Sequence, residues 1–122
     1  MILLPFPPSA NAYWRSVPMG GSCRAILSKA GREYKRIAEL ALSAQRIGII
    51  TGPVAVTFTV YFPNLRGDLD NRLKPAGDVL QGFAYEDDKQ IVELHAYRRI
   101  DKANPRVEVY VKENLSETPG RG

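Results

Sequence analysis

Acidic residues form two short clusters in a chain that is otherwise basic. Asp68 and Asp70 alternate in the first cluster, and Asp87 and Asp88 are adjacent in the second. Side chains two positions apart in an extended segment point the same way, so both carboxylates of the first cluster can face one ion. Carboxylates, water and substrate phosphate are the oxygen ligands that Mg²⁺ takes in proteins. With Lys74 four residues after Asp70, these acids indicate metal-assisted phosphodiester chemistry.

The same residues also fit purely structural roles. Asp70 is a candidate N-cap of a helix, and Asp68 is a turn residue whose side chain bonds its own backbone. Asp87 and Asp88 fit a solvated turn. Lys74 lies on the same side of the new helix as Asp70, where it can orient that carboxylate or stabilise charge that develops on a phosphate.

Length and composition indicate one globular domain with a preference for polyanions. The 122 residues include 17 Lys and Arg against 13 Asp and Glu, a net charge of +4, which favours nucleic acid as a partner. Cys23 is the only cysteine, which excludes an internal disulfide and a cysteine zinc site. Neither a signal peptide nor a membrane span is evident. We therefore expect a cytoplasmic protein that associates with no membrane and binds no small-molecule cofactor.

Apolar periodicity predicts an α+β domain over residues 1–113, followed by a flexible tail over 114–122. The expected sheet is mixed or mostly antiparallel and carries two main helices. The predicted elements are strands at 2–6, 12–15 and 24–27, a helix from Ser28 to about Ile47, a strand at 54–62, a helix from about Asn71 to Phe83 with Asp70 as its N-cap, and a final pair of strands at 90–99 and 106–112.

The spacing of the two acidic clusters presents a geometric problem. A helix of about 13 residues is roughly 20 Å long, so taken alone it places the clusters at its opposite ends. They can meet if the strand that starts near Gln90 runs back past the first cluster. They can also meet if a second subunit contributes one of them. Spacing alone does not decide between these arrangements.

Four motifs in order along most of the chain resemble the RusA family of Holliday-junction resolvases. They are Phe6-Pro7-Pro8-Ser9 with Asn11 and Tyr13, then Ser28 with Gly31 and Tyr34, then Asp68-Leu69-Asp70-Asn71 with Lys74, and finally Asp87-Asp88 with Gln90-Ile91. The resemblance implies a small homodimeric endonuclease of a bacterium or prophage. Such an enzyme binds four-way DNA junctions and nicks two opposing strands symmetrically, using Mg²⁺ or Mn²⁺.

The resemblance also assigns roles to individual residues. Asp68, Asp70 and Asp88 match the metal-binding carboxylates, Lys74 matches the catalytic lysine, and Asp87 is a supporting acid. The family fold is expected to bring the second acidic motif to the first. The residues expected to contact DNA lie in the opening motif and around the first acidic cluster: Ser9, Asn11, Tyr13, Arg15, Arg66, Asn71 and Arg72.

One departure from the family concerns local charge, because Arg66 is the only base in the stretch before Asp68, where a run of arginines is expected. Arg72 or Arg15 can compensate. Three other functions remain open at this point: a non-catalytic nucleic-acid-binding protein, a metal-dependent nuclease for other branched DNA, and a structural α+β protein in which the acids are caps and turns.

Overall fold

The computed structural model describes residues 1–114, and it confirms the predicted α+β class. In chain order the elements are β1 (Ile2–Pro5), α1 (Ala10–Tyr13), β2 (Trp14–Met19), β3 (Ser22–Leu27), α2 (Lys29–Ser43), β4 (Val54–Phe62), α3 (Asp70–Leu80), a single 3₁₀ turn (Asp88–Gln90), β5 (Ile91–Ile100) and β6 (Arg106–Glu113). Within residues 1–114, the helices are too short or too polar to cross a bilayer.

Four strands form the main sheet, in the order β1-β6-β4-β5. β4 pairs with β6 in the antiparallel sense and with β5 in the parallel sense. The prediction that β5 and β6 pair with each other is therefore wrong. β4 is the most apolar strand of the chain, and a place between two neighbours buries it most completely. α3 makes the crossover that a parallel neighbour requires.

The core lies between this sheet and the two long helices. Val54, Val56, Phe58, Val60 and Phe62 alternate on one face of β4 and are almost completely buried. They pack in one cluster with apolar residues of α2 and α3. Each buried side chain of this kind contributes about 1.5–3 kcal/mol. Packing of the helices on one face therefore fixes where α3, and the acids at its start, lie.

A single helical turn precedes the β2–β3 hairpin, where a strand was predicted over residues 12–15. The Ser9 hydroxyl accepts a hydrogen bond from the Ala12 amide at 3.3 Å and so caps α1. The strand begins only at Trp14. Gly20 and Gly21 alone form the turn of the hairpin, with φ of 48° and 84°.

α1 is held tightly against the start of α2. The Tyr13 carbonyl oxygen accepts a hydrogen bond from the Ser28 amide at 2.9 Å, and the Ser28 hydroxyl donates to the Ala12 carbonyl at 2.5 Å, with the Tyr13 carbonyl also within reach at 3.1 Å. The same hydroxyl accepts from the Gly31 amide at 2.9 Å and caps α2, as predicted. A Cβ on Gly31 would overlap the Tyr13 carbonyl oxygen. The opening motif and the entry to α2 are therefore one packed unit.

The folded domain extends one residue further than predicted. Asn114 is buried, its backbone amide donates to the Pro53 carbonyl at 2.9 Å, and its side chain donates to Glu93 at 3.0 Å. Asn114 therefore belongs to the domain and not to the predicted tail. The rest of that tail, residues 115–122, lies outside the described residues.

Candidate active site

The first acidic cluster lies where the loop after β4 enters α3. Asp68 and Asp70 are both exposed, and Asp68 Oδ2 accepts a weak hydrogen bond from Asn71 Nδ2 at 3.4 Å. The predicted N-cap role of Asp70 is wrong, because Leu69 occupies that position and no side chain caps the helix. Within residues 1–114 the Asp70 carboxylate has no hydrogen-bond or ion-pair partner. It is therefore available for chemistry.

Arg98 of β5 holds the loop that carries this cluster. Its guanidinium donates to the carbonyl oxygens of Gly67 at 2.7 Å, Arg66 at 3.2 Å and Asn64 at 3.3 Å. It also stacks 3.9 Å from the centroid of the Phe62 ring. Sequence reasoning missed this residue, because only the register of β5 against β4 places Arg98 beside the loop.

Arg72 ties the same region to the opening motif. Its Nη1 donates to the Pro7 carbonyl at 2.8 Å, and its guanidinium lies 4.9 Å from the Phe6 ring centroid. Burial, and secondarily the charge of Arg98, lowers the pKa of Arg72. A guanidinium bound in this way stabilises the fold around the site, so only part of it is free to meet DNA.

The second acidic cluster sits in a well-ordered turn. The Asp87 carboxylate accepts from the Lys89 amide at 2.9 Å, and the Gln90 side chain accepts from the Asp87 amide at 2.9 Å. These two bonds form a capping box. The bond from the Lys89 amide, then the contact with Asp88, lowers the pKa of Asp87. Both side chains are exposed, and Asp87 is the acid that caps the turn.

Within residues 1–114 of one chain the two clusters are not grouped into a metal site, and the expectation that the family fold joins them stays a prediction. The Asp88 amide donates at 3.1 Å to Gln81, which directly follows α3, whereas Asp70 begins that helix. An 11-residue helix is about 16 Å long. β5 starts opposite Val54, at the beginning of β4. Within residues 1–114 no three Asp, Glu, His or Cys side chains are grouped to hold a metal.

A cavity beside α3 does bring Lys74 and Asp88 together. It has a volume of about 410 Å³ and adds a third ionisable group, Asp78, that sequence reasoning missed. Its remaining wall is mostly apolar: Trp14, Phe58, Leu73, Gly77, Ile91 and Leu94. Lys74 lies one turn after Asp70 on α3, so it stands between the two acidic clusters.

The residues predicted to contact DNA divide into exposed and structural ones. Asn11, Arg15 and Arg66 are exposed, and their contact with DNA stays a prediction. Tyr13 is fully buried and donates to Asp78 at 2.6 Å, so its assignment as a DNA contact is wrong. Burial, then the bond to Asp78, raises the pKa of the Tyr13 hydroxyl well above its usual range. Ser9, which caps α1, serves the fold as well.

The exposed carboxylates and the lysine beside the cavity are the kinds of side chain that a phosphodiester hydrolase uses. The chain matches the family model for endodeoxyribonuclease RusA over residues 5–112. It is 31% identical over 115 residues to the crossover junction endodeoxyribonuclease RusA of Enterobacteria phage HK97, covering 91% of this chain and 92% of that protein. It is also 31% identical over 120 residues to the crossover junction endodeoxyribonuclease RusA of Escherichia coli K12, covering 95% and 96% respectively.

A similar relative comes from Enterobacteria phage 82, at 29% identity over 120 residues. The chain therefore belongs to the RusA family of endodeoxyribonucleases and is a nuclease. The predicted family resemblance is confirmed.

Proposed function

We propose that this nuclease resolves Holliday junctions by nicking two opposing strands of a four-way DNA junction. The observation that carries the proposal is the exposed Asp70 carboxylate, which the helix does not use and which lies one turn from Lys74. A protein that only binds DNA gains nothing from a free carboxylate facing phosphate. The similarity to crossover junction nucleases favours the junction as the substrate.

We further propose Mg²⁺, with Mn²⁺ as a substitute, as the cofactor. The donor set suits a hard cation, since Asp68, Asp70 and Asp88 offer only oxygen and all three are exposed. Mg²⁺ usually takes one or two carboxylates and completes its shell with water and phosphate. The two carboxylates of the first cluster therefore match the number of protein ligands that Mg²⁺ usually takes.

The side chains then divide the work of phosphodiester hydrolysis. A bound divalent ion supplies Lewis acidity, which activates water and neutralises charge on the phosphate. Asp68 and Asp70 would hold the ion at the start of α3. The Lys74 ammonium would neutralise charge on the leaving oxygen. The expected products are a 3′-hydroxyl and a 5′-phosphate.

Removal of the metal is expected to stop cleavage, and the nicks should be ligatable. Junction DNA is incubated with the protein in Mg²⁺, in Mn²⁺ and in EDTA, and the products are then treated with DNA ligase. We expect cleavage in both metals, at least 10²-fold less in EDTA, and complete resealing. Cleavage that persists in EDTA, or ends that ligase does not seal, would contradict this mechanism.

DNA contact is proposed for exposed residues that flank the site. Asn11, Arg15 and Arg66 can bind phosphates, which adds affinity and salt dependence but no sequence preference. We place the reaction in the cytoplasm, where the exposed thiol of Cys23 stays reduced.

We also propose a homodimer in which each active site combines Asp68 and Asp70 of one copy with Asp88 of the other. Ligands of one ion lie within about 2.1 Å of it, and within residues 1–114 of a single chain these carboxylates form no group that could hold a metal. β5 directly follows the turn that carries Asp88 and forms an edge of the sheet. Its exposed apolar side chains suit a second copy: Val92, Leu94, Tyr97 and Ile100. Two such sites match the two-fold symmetry of a junction.

Mixing two inactive variants is expected to restore activity. In a mixed dimer of Asp70→Asn and Asp88→Asn chains, one shared site carries both substitutions and the other carries neither. After random subunit exchange half the dimers are mixed, so roughly one quarter of the wild-type nicking should return. Nicking of labelled junctions measures it, and most products should carry a single nick.

A matched mixture serves as the control for this test. Asp68→Asn mixed with Asp70→Asn must stay inactive, because both residues come from the same copy and neither site is intact. Restoration in both mixtures, or in neither, would contradict the shared site and leave the cleavage activity itself in place.

A further inference from the structure

A chain of hydrogen bonds runs from the protein core to the backbone of Asp88. The Tyr13 hydroxyl donates to Asp78 Oδ2 at 2.6 Å, and Gln81 Nε2 donates to Asp78 Oδ1 at 3.3 Å. The Asp88 amide donates in turn to Gln81 Oε1 at 3.1 Å. Two members of this chain, Asp78 and Asp88, line the cavity together with Lys74. None of the motifs that carry the family resemblance includes Asp78 or Gln81.

The direction of every bond in this chain follows from the Asp78 carboxylate. An ionised carboxylate only accepts, so the Gln81 amide must turn its Nε2 towards Asp78. That orientation leaves Oε1 as the acceptor for the Asp88 amide. Tyr13 is fully buried and its pKa is raised, so its hydroxyl remains a donor to Asp78. A glutamine without such a neighbour can present either end of its amide.

Asp88 depends on such support because it sits in a single exposed 3₁₀ turn. The Gln90 side chain holds Asp87, the residue before Asp88. It accepts from the Asp87 amide at 2.9 Å and donates to the Ile50 carbonyl at 2.7 Å. Gln81 secures Asp88 itself. With both bonds made, the peptide before Asp87 and the peptide before Asp88 cannot rotate freely, which fixes the direction in which the Asp88 side chain leaves the backbone at the cavity wall.

We propose that Asp78 and Gln81 are positioning residues that hold Asp88 in its catalytic orientation without touching DNA. This inference rests on the proposed function, since it concerns the same site. It assigns to Asp78 the task of fixing the Gln81 amide, and to Gln81 the task of fixing the Asp88 backbone. Outer partners of this kind typically change activity or metal affinity by 10–100-fold when lost.

The first test compares Gln81→Leu with Gln45→Leu. Gln45 is a matched control because it also bonds backbone groups, the amide and carbonyl of Leu3, far from the cavity. Gln81→Leu should lower kcat for junction cleavage about 10-fold with an unchanged junction Kd. Gln45→Leu should lower the thermal midpoint and leave kcat within about twofold. Equal kcat values for the two variants would overturn the proposal.

The second test asks whether Asp78 acts through Gln81. In Asp78→Asn the new side-chain amide can donate to Gln81 Oε1. The Gln81 amide then turns its Nε2 towards the Asp88 backbone amide, so that two donors face each other and the bond is lost. Asp78→Asn alone should therefore lower kcat about 10-fold. Combined with Gln81→Leu it should add nothing. Additive losses of about 100-fold would show that Asp78 acts independently and would overturn its assigned role.

A binding measurement separates this inference from the proposed function. Trp14, the only tryptophan, lines the same cavity and can sensitise Tb³⁺ luminescence. Gln81→Leu should weaken the Tb³⁺ affinity about 10-fold, and Gln45→Leu should not change it. If the wild-type protein cuts junctions but Gln81→Leu matches it in kcat and Tb³⁺ affinity, only this inference falls. If the wild-type protein does not cut, the proposed function falls, and the Tb³⁺ titration still decides the role of Gln81.

Discussion

Asp70→Asn is expected to lower junction cleavage by about 10³-fold while leaving junction binding intact. The substitution keeps the shape of the side chain and removes the charge that holds the metal. Binding should be equal or tighter, because a negative charge beside the DNA phosphates is lost. Single-turnover cleavage and a gel-shift titration in Ca²⁺ measure the two quantities separately.

The fold of this variant should be unaffected, because Asp70 caps nothing. A thermal melt should show a change of no more than about 0.5 kcal/mol. Glu113→Gln, which makes the same charge change at an exposed position near the end of β6, should cut within about twofold of the wild type. Loss of cleavage together with loss of folding would favour a structural role for Asp70 and would count against the metal site.

Gly31→Ala is expected to destabilise the protein by about 3 kcal/mol. The added methyl group would overlap the Tyr13 carbonyl oxygen, which belongs to the backbone and already accepts a hydrogen bond from the Ser28 amide. α1 must then move away from α2, and Tyr13 leaves its buried position. The thermal midpoint should fall by about 10 °C in a calorimetric scan.

Gly48→Ala provides the matched control for this prediction. A Cβ at Gly48 meets nothing within 4 Å, and its backbone is not left-handed. Alanine there should leave the protein equally stable or up to about 1 kcal/mol more stable, because it restricts the unfolded chain. A thermal midpoint for Gly31→Ala close to that of Gly48→Ala would show that the contact between α1 and α2 relaxes at little cost.

Local pattern was sufficient to predict most of the elements. The strict alternation of Val54 to Phe62 predicts β4, and helical spacing predicts α2 and α3, because burial of one face imposes a period on the sequence. The same pattern does not state which strand lies beside which. β5 therefore appeared to pair with β6, since a short connection suggests a hairpin, whereas the core places β4 between them.

The roles of individual site residues were harder to predict, because they depend on tertiary contacts. Tyr13 follows a polar turn and looked exposed, yet it packs beneath α3 and donates to Asp78. In the sequence, Arg98 is an ordinary arginine of a predicted strand. The parallel register of β5 against β4 places it against the loop before Asp68. The separation of Asp70 from Asp88 likewise follows from the parallel pairing of β5 with β4.

The ends of the two long helices were also predicted inaccurately. α3 was expected to reach Phe83 but ends at Leu80, and α2 was expected to reach Ile47 but ends at Ser43. Gly82 takes a φ of 89°, which turns the chain back so that Tyr85 can enter the core. Apolar spacing continues through this turn, so periodicity alone overestimates the helix.

The most direct test of the account is cleavage of a synthetic four-way junction with each strand labelled in turn, beside a linear duplex and a replication fork of the same sequence. We expect paired nicks at symmetric positions on two opposing strands of the junction in Mg²⁺, and no cleavage of the duplex. The fork should be cut far more slowly. Tight binding of the junction without a nick, or equal cleavage of all three DNAs, would contradict the assignment as a junction resolvase.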